Sequence, residues 1–549
     1  MADQKIIGTG PHSTESTRKY ANPLLWEDLP DMEVIRVENV YYMSVSSFHF
    51  SPGAPLLRSD NLVDWEYVAH SVPDLATLSP RFRLDGHNTS GYVRGVWAST
   101  LKYRTSDGLL YWYGAIQGTD QTFLYTAKNA EGLWTEHPPI DHYYYDAGLL
   151  IDDDDTMYIA HGNKTIQVAQ LTPDGLGQVK NQHHLEGCRM YRISGRYYIW
   201  MTNAWAGQYV LQSDVGPFGP YECRKVIGEM RAPIAGAGPP HQGALVDTPD
   251  GSWYYMAFID AFPAGRIPVL APVEFDDDGW PRVVADFDDE HGDGQWRRKY
   301  PFPLLPGTHG SPEPGEPVTR YTFHNCQLDH RWQWNQSPDN SKWSTRQGHL
   351  VLETATVTDC LYLAANSLTH RTIGPESTAT FCVDCTGLID GDRAGAALFR
   401  NESAYIGIHK DEGQTKLVYV DDLKIAPVGE LIGWKDGRPV SQDWEVVSKG
   451  SVRADTALAL AHQRVWLRIR ANISAACTDR PEGELRQASF YYSCDGSNFT
   501  RLGAEFTLDQ SGLGWLGYRF AVFNFATREL GGQLVVEACD IEVSGRSAR

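Results

Sequence analysis

The chain has 549 residues, too many for one hydrophobic core, so we expect at least two domains. Its formal net charge of −21 argues against nucleic acid and anionic membranes as partners, and no apolar run approaches the length of a membrane span. The 17 Trp and 28 Tyr should mostly fill a β-rich core, but aromatic rings also stack on neutral sugars, which the charge does not exclude.

The first twenty residues, MADQKIIGTGPHSTESTRKY, lack the apolar segment of a signal peptide, which favours a cytoplasmic location. Against this, six N-glycosylation sequons weakly favour secretion. The nine cysteines are scattered, and the single CxxC pair, Cys382 and Cys385, has no second pair at zinc spacing. We therefore expect reduced, mostly buried thiols and no zinc site.

A loose repeat runs through the first three hundred residues. Each unit has an aromatic-rich strand pair followed by a polar segment, and the units begin at Tyr41, Tyr111, Met157, Tyr197 and Trp253. The spacing of roughly 40 to 70 residues suits four-stranded propeller blades with variable loops. We predict an all-β fold with a five-bladed β-propeller over residues 20–300. Some other all-β fold is the alternative.

Three Asp-Gly pairs support this prediction, because they fall between apolar runs where hairpin turns are expected: 107–108, 174–175 and 250–251. The Pro/Gly-rich stretch 301–317 is typical of a linker. After it, strand-like segments alternate without blade spacing. This pattern therefore predicts an antiparallel β-sandwich over residues 318–545.

Three acidic residues are candidate catalytic groups because each lies beside the start of a predicted strand in an apolar or aromatic setting. They are Asp31 in LPDMEVIRV, Asp146 in YYYDAGLLI and Glu186 in LEGCRMYRI. A propeller directs the starts of its inner strands to one central face, so acids from different blades can converge. Hydrolysis of a glycosidic bond needs one carboxylic acid and one carboxylate. The alternative for each residue is a turn-capping or solvated acid.

Around these residues the chain resembles glycoside hydrolase family 43, the five-bladed propeller β-xylosidases and α-L-arabinofuranosidases. The matching segments occur in family order over residues 22–281: Asn22-Pro23 with 30–37, 46–66, 95–98, Glu186-Gly187 with Tyr191, 240–243 and 265–270. Residues 328–344 resemble the concanavalin A-like, jelly-roll sandwich attached to many β-xylosidases of this family. Each motif is weak alone, but the ordered set is specific.

The resemblance implies a role for each matching residue. Asp31 would be the general base, Glu186 the general acid and Asp146 the residue that modulates the pKa of the acid. The family inverts the anomeric centre, so the two reacting carboxyl groups should lie about 6.5–9.5 Å apart, with a water molecule between.

Other residues at matching positions are candidates for contact with the substrate or with an ion. Phe48 and Trp97 are candidate walls for the sugar, with core packing as the alternative. Arg266 could hold sugar hydroxyls, with a surface salt bridge as the alternative. His241 could lie beside a bound ion, often calcium in the family, or hydrogen-bond within the core. No organic cofactor is expected.

The chain departs from the family pattern at three places. Met32-Glu33 replaces Pro-Ser after the base, Ser99 replaces a proline, and Cys188-Arg189 replaces Pro-His after the acid. Because the acid itself is retained, we expect activity. The shape of the site near Cys188, and with it the substrate preference, is left open.

The function predicted from the sequence is an exo-acting, inverting β-xylosidase that releases terminal xylose from xylo-oligosaccharides. One alternative is an α-L-arabinofuranosidase or a dual-activity enzyme on arabinoxylan fragments, since both activities occur on the same motifs. Another is a non-catalytic carbohydrate-binding propeller, which the retained carboxylates argue against. Whether the chain forms a homo-oligomer is open.

Overall fold

A computed structural model describes residues 18–163, 165–183, 186–203, 207–287, 294–303, 318–324, 327–429, 432–435, 438–441, 443–459, 464–477 and 485–545. Regular structure in these ranges is almost entirely β, with short 3-10 helices at Leu75–Thr77, Pro80–Phe82, Leu361–Leu363 and Leu513–Trp515. None of the helices in these ranges has the length and apolar character needed to cross a membrane. The predicted all-β class is confirmed.

The first half of the chain forms five four-stranded antiparallel sheets, so the predicted five-bladed propeller is confirmed. Its strands are β1 Lys19–Ala21, β2 Glu33–Val37, β3 Val40–Ser44, β4 Phe50–Ser51, β5 Gly53–Ser59, β6 Glu66–Val72, β7 Gly95–Arg104, β8 Leu109–Gln117, β9 Thr122–Ala127, β10 Thr135–Glu136, β11 Gly148–Ile151, β12 Met157–Asn163, β13 Thr165–Leu171, β14 Gln178–His183, β15 Glu186–Ile193, β16 Arg196–Asn203, β17 Gly207–Ser213, β18 Glu222–Ile227, β19 His241–Asp247, β20 Trp253–Asp260, β21 Arg266–Phe275, β22 Pro281–Val283 and β23 Lys299–Pro301.

The blades arise from hairpins whose turns match the sequence prediction. Gly108, Gly175 and Gly251 each have a positive φ, at 69°, 76° and 85°, and each lies between two consecutive strands of one blade. Glycine adopts this left-handed conformation without steric cost. Short turns keep successive strands antiparallel and adjacent, which produces the four-stranded blade.

The inner strands of the blades are β2, β7, β11, β15 and β19, and each contacts the next around a ring that closes from β19 back to β2. Asp31 precedes β2, Asp146 precedes β11, and Glu186 begins β15. The ring therefore directs the chain segments that carry all three predicted carboxylates to one end of the propeller axis. The pairing of β1 with β23 joins the two ends of this half of the chain.

The second half forms two large antiparallel sheets that face each other, as the predicted sandwich requires. Of the predicted linker 301–317, residues 304–317 lie outside the described residues. The sandwich strands are β24 Val318–Tyr321, β25 Trp332–Asn335, β26 Trp343–Arg346, β27 His349–Glu353, β28 Leu368–Arg371, β29 Glu376–Asp384, β30 Asp392–Phe399, β31 Glu402–Asp411, β32 Gln414–Pro427, β33 Ile432–Lys435, β34 Arg438–Ser441, β35 Trp444–Ala457, β36 Arg464–Asn472, β37 Gln487–Ser493, β38 Thr500–Arg501, β39 Phe506–Thr507, β40 Arg519–Ala526 and β41 Gln533–Ser544.

The cysteines among the described residues are free thiols, and most of them are buried, as expected from the sequence. Cys382 and Cys385 lie at the end of β29 and just after it. Burial raises the pKa of Cys385 to about 11, so this thiol stays protonated at neutral pH. The CxxC pair is therefore part of the sandwich core.

The two domains share a sheet. Strand β4, in the first blade's loop, pairs with β25, so the propeller supplies the last strand of the eight-stranded sandwich sheet. Asp28, a buried propeller residue, reinforces this junction. Its backbone carbonyl accepts from Arg371 Nε (2.8 Å) and its Oδ2 accepts from the amide of Gly517 (2.9 Å), both in the sandwich.

Gly517 lies at the junction of the two domains, where a larger residue should destabilise the protein. A Cβ at this position would lie 2.1 Å from the carbonyl oxygen of Ala264 in the propeller, a backbone atom that cannot move without shifting its loop. We expect Gly517→Ala to lower the free energy of unfolding by about 1–3 kcal/mol, as overpacking commonly does. Thermal denaturation measures the effect, with Gly216→Ala, where a Cβ meets nothing within 4 Å, as the matched control. Equal stability of the two variants would contradict the prediction.

Candidate active site

Asp31 is a buried carboxylate at the entrance to the first inner strand, with 6% of its surface exposed. Arg266 holds it in a two-pronged ion pair, with Nη1 2.8 Å from Oδ1 and Nη2 3.2 Å from Oδ2. The hydroxyl of Ser46 donates to Oδ2 at 2.7 Å. The backbone φ of Asp31 is 57°, a left-handed conformation that is uncommon for a residue other than glycine. Such backbone strain is found preferentially at functional sites.

Arg266 begins β21, and its position is fixed from several sides. Its backbone amide donates to Asp28 Oδ1 at 2.8 Å, and its guanidinium lies over the rings of Phe258 and Phe48, at 5.0 and 5.6 Å. The surface salt bridge considered from the sequence does not form, because the pair with Asp31 is buried. The buried Nε finds no hydrogen-bond acceptor among the described residues. Contact of Arg266 with sugar hydroxyls stays a prediction.

Asp146 also has a left-handed backbone, with a φ of 49°. Its carbonyl accepts from the amide of Cys188 at 3.0 Å, which joins the turn before β11 to the start of β15. The backbone of Glu186 pairs with Thr202, and a bulge with Gly187 at a φ of 70° follows. The side chain of Glu186 lies outside the described residues. The structure therefore brings the backbones of the Asp146 and Glu186 segments together.

An aromatic cluster borders the Asp31–Arg266 pair, and we call it the aromatic wall. Phe48 and Trp97 pack edge to face with ring centroids 6.2 Å apart, and Trp97 also contacts Tyr145 (6.5 Å) and Trp515 (5.5 Å). Phe48 and Trp97 are almost fully buried, so packing within the wall occupies most of their surface. Tyr145 and Trp515 are only partly buried.

Trp515 comes from the sandwich, more than four hundred residues from Trp97 in the chain. It has a φ of 55° and follows Gly514, whose φ is 74°, so this loop is tightly turned where it reaches the propeller. No motif in the sequence marks Trp515 as a site residue. The only available signal was the density of glycines around it in SGLGWLGY.

His241, at the start of β19, was the predicted neighbour of a calcium ion. Its Nδ1 lies 2.9 Å from the carbonyl oxygen of Pro239, its Nε2 lies 4.0 Å from Asp260 Oδ2, and its ring packs on Phe258. Calcium in proteins takes six to eight oxygen ligands. No group of three or more His, Cys, Asp or Glu side chains in the described ranges could hold a metal. These residues alone do not form a calcium site, and calcium stays a prediction.

A separate cavity of about 800 Å³ lies between the loop at residues 86–90 and sandwich residues around Thr358 and Trp444. None of the predicted catalytic, wall or ion-binding residues lines it. Its size does not make it the active site, because it lacks the candidate carboxylates.

Comparisons with known proteins agree with this geometry. Residues 20–281 match the model of glycosyl hydrolases family 43, and residues 320–535 match that of the beta xylosidase C-terminal concanavalin A-like domain. A beta-xylosidase of Formosa agariphila is 26% identical, over 98% of this chain and 93% of its own. A non-reducing end alpha-L-arabinofuranosidase of Bacteroides ovatus is 26% identical, over 69% of this chain and 73% of its own.

A solved structure superimposes on nearly the whole chain. It is described as a family 43 glycoside hydrolase engineered to display both endo-xylanase and exo-arabinofuranosidase activity. It is 43% identical, with a TM-score of 0.87, and the match covers 96% of this chain and 100% of that one. The similarity therefore includes the propeller, the sandwich and the way they join.

Proposed function

Because this chain belongs to glycosyl hydrolases family 43, we propose that it is an exo-acting, inverting β-xylosidase that releases terminal xylose from xylo-oligosaccharides. The observation that carries the proposal is the buried Asp31 carboxylate, held by Arg266 and Ser46 beside the aromatic wall. Relatives named beta-xylosidase that align over most of this chain support the choice of xylose.

The contacts of Asp31 suit a general base. A carboxylate offers about four acceptor positions, and contacts within the described residues occupy one on Oδ1 and two on Oδ2. The remaining position on Oδ1 can accept a hydrogen bond from water. Arg266 and Ser46 fix the orientation of the carboxylate. Asp31 can then take a proton as the water attacks the anomeric carbon.

In this proposal Glu186 is the general acid of the same single step. As general acid it would donate its proton to the leaving oxygen while Asp31 removes one from water, so that the protons balance. Asp146, whose carbonyl is bound to the Cys188 amide, lies close in the fold to the segment that carries the acid. General acid–base assistance of this kind contributes about 10²–10⁴-fold.

Trp515 supports exo action, because it brings the sandwich into contact with Trp97 of the aromatic wall. We expect Trp515→Ala to raise KM for xylobiose about 2–10-fold, the loss of one aromatic contact, with a smaller change in kcat. Trp515→Phe is the matched control and should keep most of the affinity. If Trp515→Ala has a wild-type KM and its early products on xylohexaose still contain only xylose, Trp515 does not close the pocket.

A second candidate activity is α-L-arabinofuranosidase, alone or together with β-xylosidase. It is favoured by the 43% identical structure described with exo-arabinofuranosidase activity and by the arabinofuranosidase of Bacteroides ovatus. Both sugars would use the same carboxylates, so the site geometry agrees with either activity.

The test is to incubate the purified protein with an aryl β-D-xylopyranoside, an aryl α-L-arabinofuranoside, xylobiose and arabinoxylan. Release of xylose supports the first candidate, release of arabinose the second, and the ratio of kcat/KM values decides between them. Proton NMR of the first-formed sugar tests inversion, since a β-xyloside should yield α-xylose. If all four substrates stay intact, the hydrolase proposals fail and a non-catalytic carbohydrate-binding propeller becomes the better interpretation.

A further inference from the structure

Arg189 is a fully buried arginine that contacts the chain segments of the candidate carboxylates, three residues after Glu186. Its guanidinium donates to backbone carbonyls of three chain segments. Nη2 bonds the carbonyl of Asp31 at 2.9 Å, while Nη1 bonds the carbonyls of Cys188 at 2.9 Å and Ala147 at 3.2 Å. These segments are the ones that carry the base, the acid and Asp146.

Glu33 holds the opposite side of this guanidinium. Its Oε2 lies 3.1 Å from Arg189 Nε, and both side chains are fully buried. Thr100 Oγ1 and Lys102 Nζ donate to the same carboxylate, at 2.9 and 3.0 Å. Thr100 Oγ1 in turn accepts from the amide of Leu149, three residues after Asp146. The acceptors of the Glu33 carboxylate are therefore well satisfied, as a buried charge requires.

Glu33 and Arg189 are also two of the positions at which this chain departs from the family pattern. In the structure the two departures contact each other. Loss of either residue would leave the other with one charge partner fewer in a buried site, which is destabilising. The pair lies where the turns that carry the candidate carboxylates meet.

We propose that Arg189 is a positioning residue for hydrolysis, which fixes the turns that carry the three candidate carboxylates relative to one another. Glu33 orients its guanidinium. Asp31 and Asp146 both have strained, left-handed backbones. The carbonyl of Asp31 accepts from Arg189, and the carbonyl of Asp146 accepts from the amide of Cys188, the residue before Arg189. The inference rests on the proposed function only in that it concerns the hydrolytic step.

Arg189→Lys tests the proposal, because lysine keeps the charge but its ammonium cannot reach three carbonyls and Glu33 in the planar fork of arginine. We expect kcat on xylobiose to fall about 10–100-fold, the effect of misplacing catalytic groups by about 1 Å. KM should change little, because Arg189 is buried away from the substrate. The pH–rate profile should shift, since the surroundings of both carboxyl groups change.

Arg104→Lys is the matched control. Arg104 also pairs with a carboxylate, that of Asp155, and donates to the carbonyl of Pro173, but these contacts lie where the blade hairpins turn, away from the candidate site. We expect this variant to keep its kcat even if it melts earlier. Glu33→Gln is a milder second variant that leaves Arg189 in place, and it should lower kcat less than Arg189→Lys.

Amide hydrogen exchange supplies a measurement that does not depend on activity. Peptides over residues 28–34, 143–150 and 186–191 should exchange faster in Arg189→Lys than in wild type, and Arg104→Lys should not change their exchange rates.

The proposal would be overturned if Arg189→Lys kept the wild-type kcat and pH profile and had only a lower Tm. If Arg189→Lys fails to fold, a wild-type kcat in Glu33→Gln would overturn the proposal instead. If wild type hydrolyses no substrate, the proposed function fails, and the exchange rates then test only whether Arg189 fixes the three turns.

Discussion

Asp31→Asn is expected to lower kcat on xylo-oligosaccharides by about 10²–10⁴-fold, the usual contribution of a general base. Asparagine has the shape of aspartate and keeps an oxygen that can accept from Arg266 or Ser46. It cannot take a proton from water, so the attacking nucleophile is no longer activated. Steady-state kinetics on xylobiose measures the loss.

Stability must be followed in the same variant, because Arg266 is buried and loses its countercharge. A lower Tm is expected, but the protein should remain folded at assay temperature. Asp155→Asn is the control: Asp155 pairs with Arg104 on the blade hairpins and should have wild-type kcat. If folded Asp31→Asn hydrolyses xylobiose within a few-fold of the wild-type rate, Asp31 is not the base.

Glu186→Ala is expected to lose about 10²–10⁴-fold in kcat on xylobiose, because a sugar leaving group needs a proton from the general acid. An aryl xyloside whose phenol is strongly acidic needs little protonation and should lose far less. The difference between the two substrates is the specific sign of a missing general acid. A merely misfolded site would slow both substrates alike.

The comparison uses kcat for both substrates at several pH values, because the limb of the pH–rate profile due to the acid should disappear in Glu186→Ala. Glu222→Ala, an exposed glutamate at the start of the outer strand of the same blade, is the matched control. Equal loss on both substrates in Glu186→Ala would assign the acid to another residue.

Much of the fold could be predicted because it depends on short-range patterns. Alternating aromatic strands and Asp-Gly turns specify hairpins locally, and repetition at blade spacing specifies a propeller. The ring of inner strands then places Asp31 and the Asp146 and Glu186 segments at one end of the axis. The sequence contains 69 acidic residues, and composition alone could not single out these three. The ordered family motifs identified them.

The contacts that complete the site could not be predicted, because they join residues far apart in the chain. Arg266 binds Asp31 through its two terminal nitrogens, although the two residues are 235 positions apart. Trp515 reaches the aromatic wall from another domain. Arg189 resembled an unexplained substitution until the structure placed it against Glu33. Such pairings depend on how the blades and sheets pack, and no local pattern encodes them.

The strand shared by the two domains limits how this protein can be divided. Without the propeller, the sandwich would expose the backbone groups of β25 along an open sheet edge, which invites pairing with other chains. Without the sandwich, the propeller would lose the partner of β4 and the donors that Arg371 and Gly517 provide to Asp28, whose other oxygen binds the amide of Arg266. The two halves are thus poor candidates for modular exchange: a chimaera that transplants either one must carry matching residues across the junction.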